Sequence, residues 1–365
     1  MKILQISKYY HPFSGGLELV AKRISQALID SNIGVDILAF DKRGEIVNNR
    51  VGPFGEGTYW LREDIILSSA PLSFAAAKTI KNYILRKEDL THVFVHLPNP
   101  LIHHIVWKNR KLIKKKRIKV VAIYHSDIVN QKILGPVYNK VFQKTMSVYD
   151  RFVVAGPQNY ENSNTISILP RDIVKIIPFI PENTSDYVFR EKFNGNILAI
   201  GRLVPYKGFE YLMRAVKESG HKLKIIGRGP LFEHLSQFQT EDIELLGHVD
   251  DEQKNDLIKW AGIMAVPSIN RSEAFGMTIT EAFAAGLPVL ACKTGSALEY
   301  LASGGRSMLV NPQSVSELKE SLTKLDSDEQ LYKSIGLSAK KFSDEKLSYA
   351  SFRKNIMDLV QEDMS

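Results

Sequence analysis

The sequence predicts an α/β protein built from two parallel-sheet domains, and three observations predict it. An apolar strand, an amphipathic helix and a second apolar strand follow one another within about the first forty residues. The same alternation restarts at Asn196, after a polar, proline-bounded stretch. A further strand–loop–helix–strand unit runs from Gly262 to Cys292. Neighbouring parallel strands require crossovers of this kind. At 365 residues the chain is long enough for two cores. Its 44% hydrophobic and 24% charged residues are those of an ordinary soluble globular protein, not of a fibrous or disordered one.

Lys2 to Tyr9 reads as a strand buried on both faces, and Tyr10 to Gly16 as a turn-rich loop. Leu17, Val20, Ala21, Ile24, Ala27 and Leu28 form the apolar stripe of the first helix, Gly34 ends it, and Val35 to Phe40 is the second strand. Ser14-Gly15-Gly16 precedes the helix, so Gly15 and Gly16 permit close backbone approach to a phosphate or sugar. The Gly-x-Gly-x-x-Gly spacing is missing, and a plain tight turn is the alternative. Residues 41–90 read as irregular. Val93 to Leu97, Lys119 to Tyr124, Arg151 to Ala155 and Val174 to Ile180 are further strands, and Phe179 to Ser185 is the exit from a first domain of residues 1–185.

In a second domain, 186–345, Asn196 to Ile200 is a strand, Gly201 to Gly208 a loop, and Phe209 to Lys217 a helix with Phe209, Leu212, Met213 and Val216 on one face. Lys222 to Ile226 ends in Gly227-Arg228, and Ile243 to Leu246 ends in Gly247-His248-Val249. Residues 314–342 read as helices, with Asp326-Ser327-Asp328 as a polar connection between them and not a metal site. Residues 346–365 form a last helix with Leu347, Phe352, Ile356, Leu359 and Val360 as its packing positions.

Charge is uneven. Residues 1–185 hold 26 Lys and Arg against 15 Asp and Glu, about +11; the remainder holds 22 against 25, about −3, and together these give +8. The basic half points to an anionic partner. Its densest run, 108–119, reads as a solvated helix face or as a foothold on an anionic membrane, worth about 1 kcal/mol per Lys or Arg near the surface. Nucleic acid is not expected, because no aromatic residues interleave to make stacking platforms. The start of the chain lacks a signal-peptide core, no apolar run reaches a spanning length, and the single cysteine, Cys292, lies in an apolar run. A cytoplasmic protein is expected. The nine histidines are read as holding no metal, so no metal or other cofactor is expected.

The chemistry concentrates in Glu273-Ala274-Phe275-Gly276-Met277-Thr278-Ile279-Thr280-Glu281, which follows the strand Gly262 to Val266. A helix starting near Gly276 presents unpaired backbone N–H groups, an anion site, beside two carboxylates at the carboxyl end of a strand. A plainer reading makes Thr278-x-x-Glu281 a capping box and Glu273 a solvated loop residue. Arg202 and Lys207 suit a pyrophosphate, one bidentate and one a point charge. His125 stands just past the strand Val120 to Tyr124, at the mouth of the first sheet, as a functional group or as a hydrogen-bonded structural histidine.

Glu-x7-Glu in a strand–loop–helix setting, followed by Gly286-Leu287-Pro288-Val289, resembles the signature of the family 4 retaining glycosyltransferases. Gly201-Arg202-x4-Lys207-Gly208 is similar to that family's diphosphate clamp. The resemblance implies the GT-B fold, two facing Rossmann-like domains with an interdomain cleft, and a carboxyl-terminal helix that crosses back to the first domain. It implies metal-independent transfer from a nucleotide-diphosphate sugar, UDP-linked in the first instance and GDP-mannose next, with retention. Arg202, Lys207 and the backbone of Ala274, Phe275, Gly276, Met277 and Thr278 would meet the diphosphate, Glu281 the ribose, and Gly227, Arg228, His248 and Val249 the base. Glu273 and His125 would stand at the sugar, and Gly15 and Gly16 would complete the site. The implied acceptor is a lipid-linked or growing glycan of a lipopolysaccharide O-antigen, capsule or exopolysaccharide, with the basic domain on the inner membrane face. Ala274 replaces a glycine frequent in the family. A nucleotide-sugar epimerase of the same shape is the alternative.

Overall fold

The computed structural model describes residues 1–13, 15–41, 48–67, 70–128, 134–181, 190–273 and 275–362. The chain divides into two compact units, Met1–Phe179 with Tyr349–Ser365, and Ile180–Ser348.

The first unit opens with β1 (Lys2–Ile6), α1 (Gly16–Ile29) and β2 (Gly34–Asp41). Leu4 and Ile6 are buried, and Val20, Ala21, Ile24, Ala27 and Leu28 of α1 close over the sheet. β3 (Asn48–Val51), β4 (Gly57–Arg62), β5 (Ile65–Leu67), β6 (Ala70–Leu72) and α2 (Ala76–Arg86) follow. Then come β7 (Leu90–Leu97), α3 (Pro100–Lys108), α4 (Arg110–Lys115), β8 (Lys119–Tyr124), α5 (Leu134–Thr145), β9 (Arg151–Val154), α6 (Pro157–Glu161) and β10 (Val174–Ile176). The main sheet has the order β10-β9-β8-β7-β1-β2-β4-β3, with only β3 antiparallel to its neighbour. From β1 the chain builds outward through β2 and β4, then returns to the other side of β1 with β7. Its direction therefore reverses between β1 and β7, and such a reversal opens a crevice beyond the carboxyl ends of the strands.

Residues 41–90, expected to be irregular, instead supply two strands of the main sheet, β3 and β4, a separate β5–β6 hairpin and a helix. β4 lies beside β2 because Gly57 leaves room for the buried Asp36, whose Oδ1 would stand 2.5 Å from any Cβ there. Asp36 is paired with Lys2 at 3.0 Å and accepts from the Tyr83 hydroxyl of α2. The basic run is not uniformly solvated either. Lys116 Nζ donates to the carbonyls of Ile84 at 2.7 Å and Leu85 at 2.8 Å, closing the carboxyl end of α2. β10 stops at Ile176, shorter than its apolar run suggests.

The second unit contains β11 (Asn196–Ile200), α7 (Phe209–Lys217), β12 (Lys222–Ile226), α8 (Phe232–Ser236), β13 (Ile243–Gly247), α9 (Asp251–Trp260), β14 (Ile263–Val266), α10 (Met277–Ala285), β15 (Val289–Cys292), α11 (Ala297–Ala302), β16 (Ser307–Val310), α12 (Val315–Ser327) and α13 (Glu329–Lys346). Its sheet, β13-β12-β11-β14-β15-β16, is parallel throughout. The reversal here falls between β11 and β14. Asp328 of the Asp-x-Asp caps α13, its Oδ1 accepting from the Leu331 N–H at 2.8 Å.

The chain ends in α14 (Tyr349–Glu362), which belongs to the first unit and packs on α1. Phe352, Ile356, Leu359 and Val360 recur at helical spacing and are buried. Polar contacts fix the helix at both ends. The Tyr349 hydroxyl bonds Asp30, Arg353 Nε donates to Ser31 Oγ at 2.8 Å, and Lys175 pairs with Glu362 at 2.5 Å. Truncating a fully buried aromatic costs about 3–5 kcal/mol, and an exposed polar contact about 1 kcal/mol. Urea titrations should therefore show Phe352→Ala lowering the stability of the first unit by about the larger amount and Arg353→Ala by about the smaller. Equal losses would mean that polar contacts, not burial, hold α14.

Candidate functional site

In the second unit the loops that leave β11 and β14, the two strands flanking the reversal, lie against each other. Gly208 has φ +67°, a left-handed value that glycine adopts without strain, and a Cβ there would lie 2.2 Å from the Pro267 carbonyl oxygen. The Ile269 N–H donates to the Tyr206 carbonyl at 2.8 Å across the same seam. This contact delivers Lys207 to Glu273, and their Nζ and Oε2 are 2.5 Å apart. Glu273 is 8% exposed, and Ser268 Oγ donates to the same Oε2 at 2.9 Å. Both contacts fall on Oε2, so Oε1 bonds to no described residue.

Burial disfavours a charged ammonium, but the Glu273 carboxylate outweighs it and holds the Lys207 pKa above the ordinary lysine value. The sign follows: the contribution from the Lys207 charge is fully present below the ordinary lysine pKa and is lost as pH climbs through the raised one. Lys207 is a cation throughout the neutral range.

Arg202 lies earlier in the same loop, exposed, with no side-chain hydrogen bond or ion pair to a described residue. The loop after β12 is stitched to it: the Leu203 N–H donates to the Arg228 carbonyl and the Gly201 N–H to that of Ile226, both at 2.9 Å. Gly227 and Arg228 thus border the Arg202 loop, and the Arg228 side chain is exposed. His248 and Val249 connect β13 to α9, whose amino end is closed by a capping box of Asp250 and Gln253.

α10 begins after Gly276, its cap residue at φ +82°, and no side chain caps it. The capping-box reading of Thr278 and Glu281 is thereby corrected. Thr278 is the second helical residue, not the cap, and its buried Oγ1 has no hydrogen-bond partner. The N–H groups of Met277 and Thr278 are left for an anion. Glu281, one turn on, faces Lys254 of α9 at 3.3 Å, and Phe275 is buried beneath the loop. Ala274 lies outside the described residues, as does Ser14. A cavity of about 360 Å³ between α7 and α8 is lined by Val204, Phe209, Glu210 and His234 among others, but not by Lys207 or Glu273.

Gly15, Gly16 and His125 belong to the first unit. Gly15 precedes α1, and the Glu18 carboxylate folds against it, 2.3 Å from the position of a Cβ. A hydroxyl donor suits that place better than a phosphate. His125 is 7% exposed; its N–H donates to the Leu97 carbonyl at 3.0 Å and its carbonyl accepts from Asn159 Nδ2 at 3.0 Å. Asp127, two residues on, is occupied by Tyr124, Ser163 and the Asn164 N–H.

Sequence reasoning missed Lys254 and the groups behind His125, because each acts across elements distant in sequence, and Ser268, whose bond to Glu273 five residues on depends on how the loop folds. It also overlooked one His-x3-His pair, His92 and His96. On β7 that spacing spans about 13 Å, too far for one ion. Among the described residues no group of three or more His, Cys, Asp or Glu is placed to hold a metal, and no helix is long and apolar enough to cross a membrane.

Two family models match the chain: Glycosyltransferase Family 4 over residues 14–178, and Glycosyl transferases group 1 over residues 183–342. The chain is 27% identical to the O-antigen chain mannosyltransferase C of Escherichia coli, over 93% of each chain. It is 26% identical to the D-rhamnosyltransferase WbpZ of Pseudomonas aeruginosa, over 86% of this chain and 83% of that one. Among solved structures, HepE of Anabaena in complex with UDP superposes with a TM-score of 0.75 at 17% identity, covering 99% of this chain and 100% of that one. With two Rossmann-like sheets, each reversing beside its first strand, and two family models that together span most of its length, the chain belongs to the family 4 glycosyltransferases of the GT-B fold.

Proposed function

We propose that this glycosyltransferase moves a sugar from a nucleotide-diphosphate sugar to a lipid-linked or growing glycan, with retention of configuration and without a metal. The observation that carries this reading is the meeting of Lys207 and Glu273 at the strand reversal, beside the uncapped amino end of α10. Breaking a sugar–phosphate bond builds negative charge on the departing diphosphate and positive charge on the ring. Arg202, Lys207 and the N–H groups of Met277 and Thr278 are fixed donors for the first. Glu273 Oε1 is an acceptor for a sugar hydroxyl, and Glu281 for the ribose. Gly227, Arg228, His248 and Val249 frame the base; Gly15, Gly16 and His125 serve the sugar from the first unit. The names of the relatives support a surface polysaccharide such as an O-antigen as the product, and the complexes of solved neighbours support a UDP donor, with GDP-mannose as the next to try.

Thermal melting with UDP, GDP, ADP and NAD in parallel, without added metal, tests the donor site. A ligand at a hundred times its dissociation constant adds about 2.7 kcal/mol of stability. One nucleoside diphosphate should raise the melting temperature, and Arg202→Ala and Glu281→Ala should abolish the rise. A response to NAD alone would sink the reading. Conversion of the donor sugar with no acceptor present would favour the epimerase instead. Losing one fixed donor costs about 3 kcal/mol in the transition state, so Arg202→Ala should lower kcat/KM by on the order of a hundredfold.

We further propose that the first unit rests on an anionic bilayer. The β5–β6 hairpin exposes Ile65, Ile66 and Leu67, and Phe74, tied to the hairpin base by Asp64, is 80% exposed. Lys78 and Lys81 of α2, which follow Phe74 in sequence, are exposed. Apolar side chains flanked by lysines suit the boundary between headgroups and acyl chains. In sedimentation with anionic vesicles at low salt, the protein should pellet, and Ile66→Ser with Phe74→Ser should release it. Equal pelleting of the double variant would place the contact elsewhere, and no pelleting of the parent protein would end the membrane proposal.

A further inference from the structure

His125 does not stand alone. Its Nε2 lies 2.9 Å from His96 Nδ1, and His96 Nε2 lies 3.0 Å from Gln5 Oε1. Gln5 Nε2 in turn donates to the Ala21 carbonyl and to Ser25 Oγ, each at 2.9 Å. The two rings are near-parallel, 22° apart with centroids at 5.2 Å, so the nitrogens face each other edge to edge. Gln5 is wholly buried and His96 is 3% exposed. The row crosses from α1 through the ends of β1 and β7 to the residue after β8, at the reversal of the first sheet.

The protons along this row are determined by its far end. A peptide carbonyl only accepts, so the Gln5 amide must turn its nitrogen to Ala21 and its oxygen to His96. His96 Nε2 must then carry a hydrogen. Burial keeps His96 neutral, its pKa pushed down to about 3, so its Nδ1 is bare and accepts. That obliges His125 Nε2 to be the N–H. Burial, and then the neighbouring His96, also hold His125 neutral, so its Nδ1 has no proton. Nδ1 bonds to no described residue and is not among the polar atoms sealed from solvent.

We propose that Gln5 and His96 are positioning residues that lock His125 as its Nε2–H tautomer, so that it offers a bare Nδ1 as acceptor to a hydroxyl of the transferred sugar. The hydroxyl part rests on the reading that His125 serves the sugar; the tautomer does not. A ring so held favours a sugar with a free hydroxyl at that point, and adds no positive charge where the reaction develops one.

The test is the long-range proton–nitrogen spectrum of the full chain labelled with nitrogen-15 histidine, with His125→Gln used to assign the ring. His125 should show a protonated Nε2 and a bare Nδ1, unchanged across neutral pH. His96→Leu removes the acceptor and should move the proton partly or wholly to Nδ1. Transfer from UDP-glucose or GDP-mannose, whichever the parent enzyme uses, should then fall roughly ten- to a hundredfold in kcat/KM. His96→Asn, whose Oδ1 replaces the ring Nδ1, should keep the tautomer and most of the rate. Should His96→Leu not fold, Gln5→Met probes the same row from its far end and should loosen the tautomer likewise. A proton on Nδ1 in the parent protein, or an unmoved tautomer in His96→Leu and Gln5→Met, would overturn the lock. A moved tautomer with an unchanged rate would overturn the role of His125 at the sugar while leaving the donor site of the second unit intact.

Discussion

The candidate donor site depends on backbone lying directly against backbone at the ends of β11, β12 and β14. A Cβ at Gly208 would meet the Pro267 carbonyl, and one at Gly227 would sit 1.9 Å from the Gly201 carbonyl. Neither contact can yield as a flexible side chain would, so any side chain at these positions would push the loops apart. A lysine Nζ and a carboxylate held 2.5 Å apart tolerate little such movement. The ion pair is therefore a readout of the glycine contacts as much as of its own attraction.

The charges of the second unit divide into two sorts. Lys207 and Glu273 largely neutralise one another, are mostly buried, and gain their value from fixed geometry. Removing one would leave the other buried without its partner, a cost that exceeds what the pair contributes. Arg202 and Arg228 are exposed on adjoining loops and keep their full charge for a ligand. The second sort suits an anion that must bind and leave. The first suits a carboxylate that must keep its position while charge is redistributed beside it. Thr278, with a hydroxyl shielded from water and lacking a partner, belongs to the same logic. A buried polar atom without a bond costs free energy, and an acceptor arriving at α10 would recover it.

What could be read from the sequence follows from how local each signal is. The strands from Asn196 to Ile200 and Lys222 to Ile226 and the helix from Phe209 to Lys217 match the structure residue for residue, because their periodicity is continuous and glycines bound them. β4 escaped notice because its place rests on Gly57 accommodating Asp36 from another strand, and α2 because Ala76, Ile80, Tyr83 and Ile84 begin directly after a hairpin. In the site, Glu273, Lys207 and Arg202 stood out by spacing. Ser268, Lys254, His96 and Gln5 did not, since each matters only through a partner that folding brings to it. The capping-box reading failed for the opposite reason: Thr278 and Glu281 have the right spacing, but the helix starts two residues too early for it.

The same topology is put to two different uses. Each sheet reverses direction beside its first strand, β1 against β7 and β11 against β14. At the second reversal the sequence places formal charges and uncapped helix N–H groups, which bind by field and need no defined proton. At the first it places Gln5, His96 and His125, all neutral, in a row whose hydrogens are set by one carbonyl of α1. A charged histidine in that row would have to be buried against its neighbour, so neutrality is what the surroundings enforce. Leaving-group charge and sugar hydroxyls make opposite demands, one for strong fixed fields and the other for a defined donor or acceptor. In the reaction proposed above, the division of residues between the two reversals would meet each demand on its own sheet.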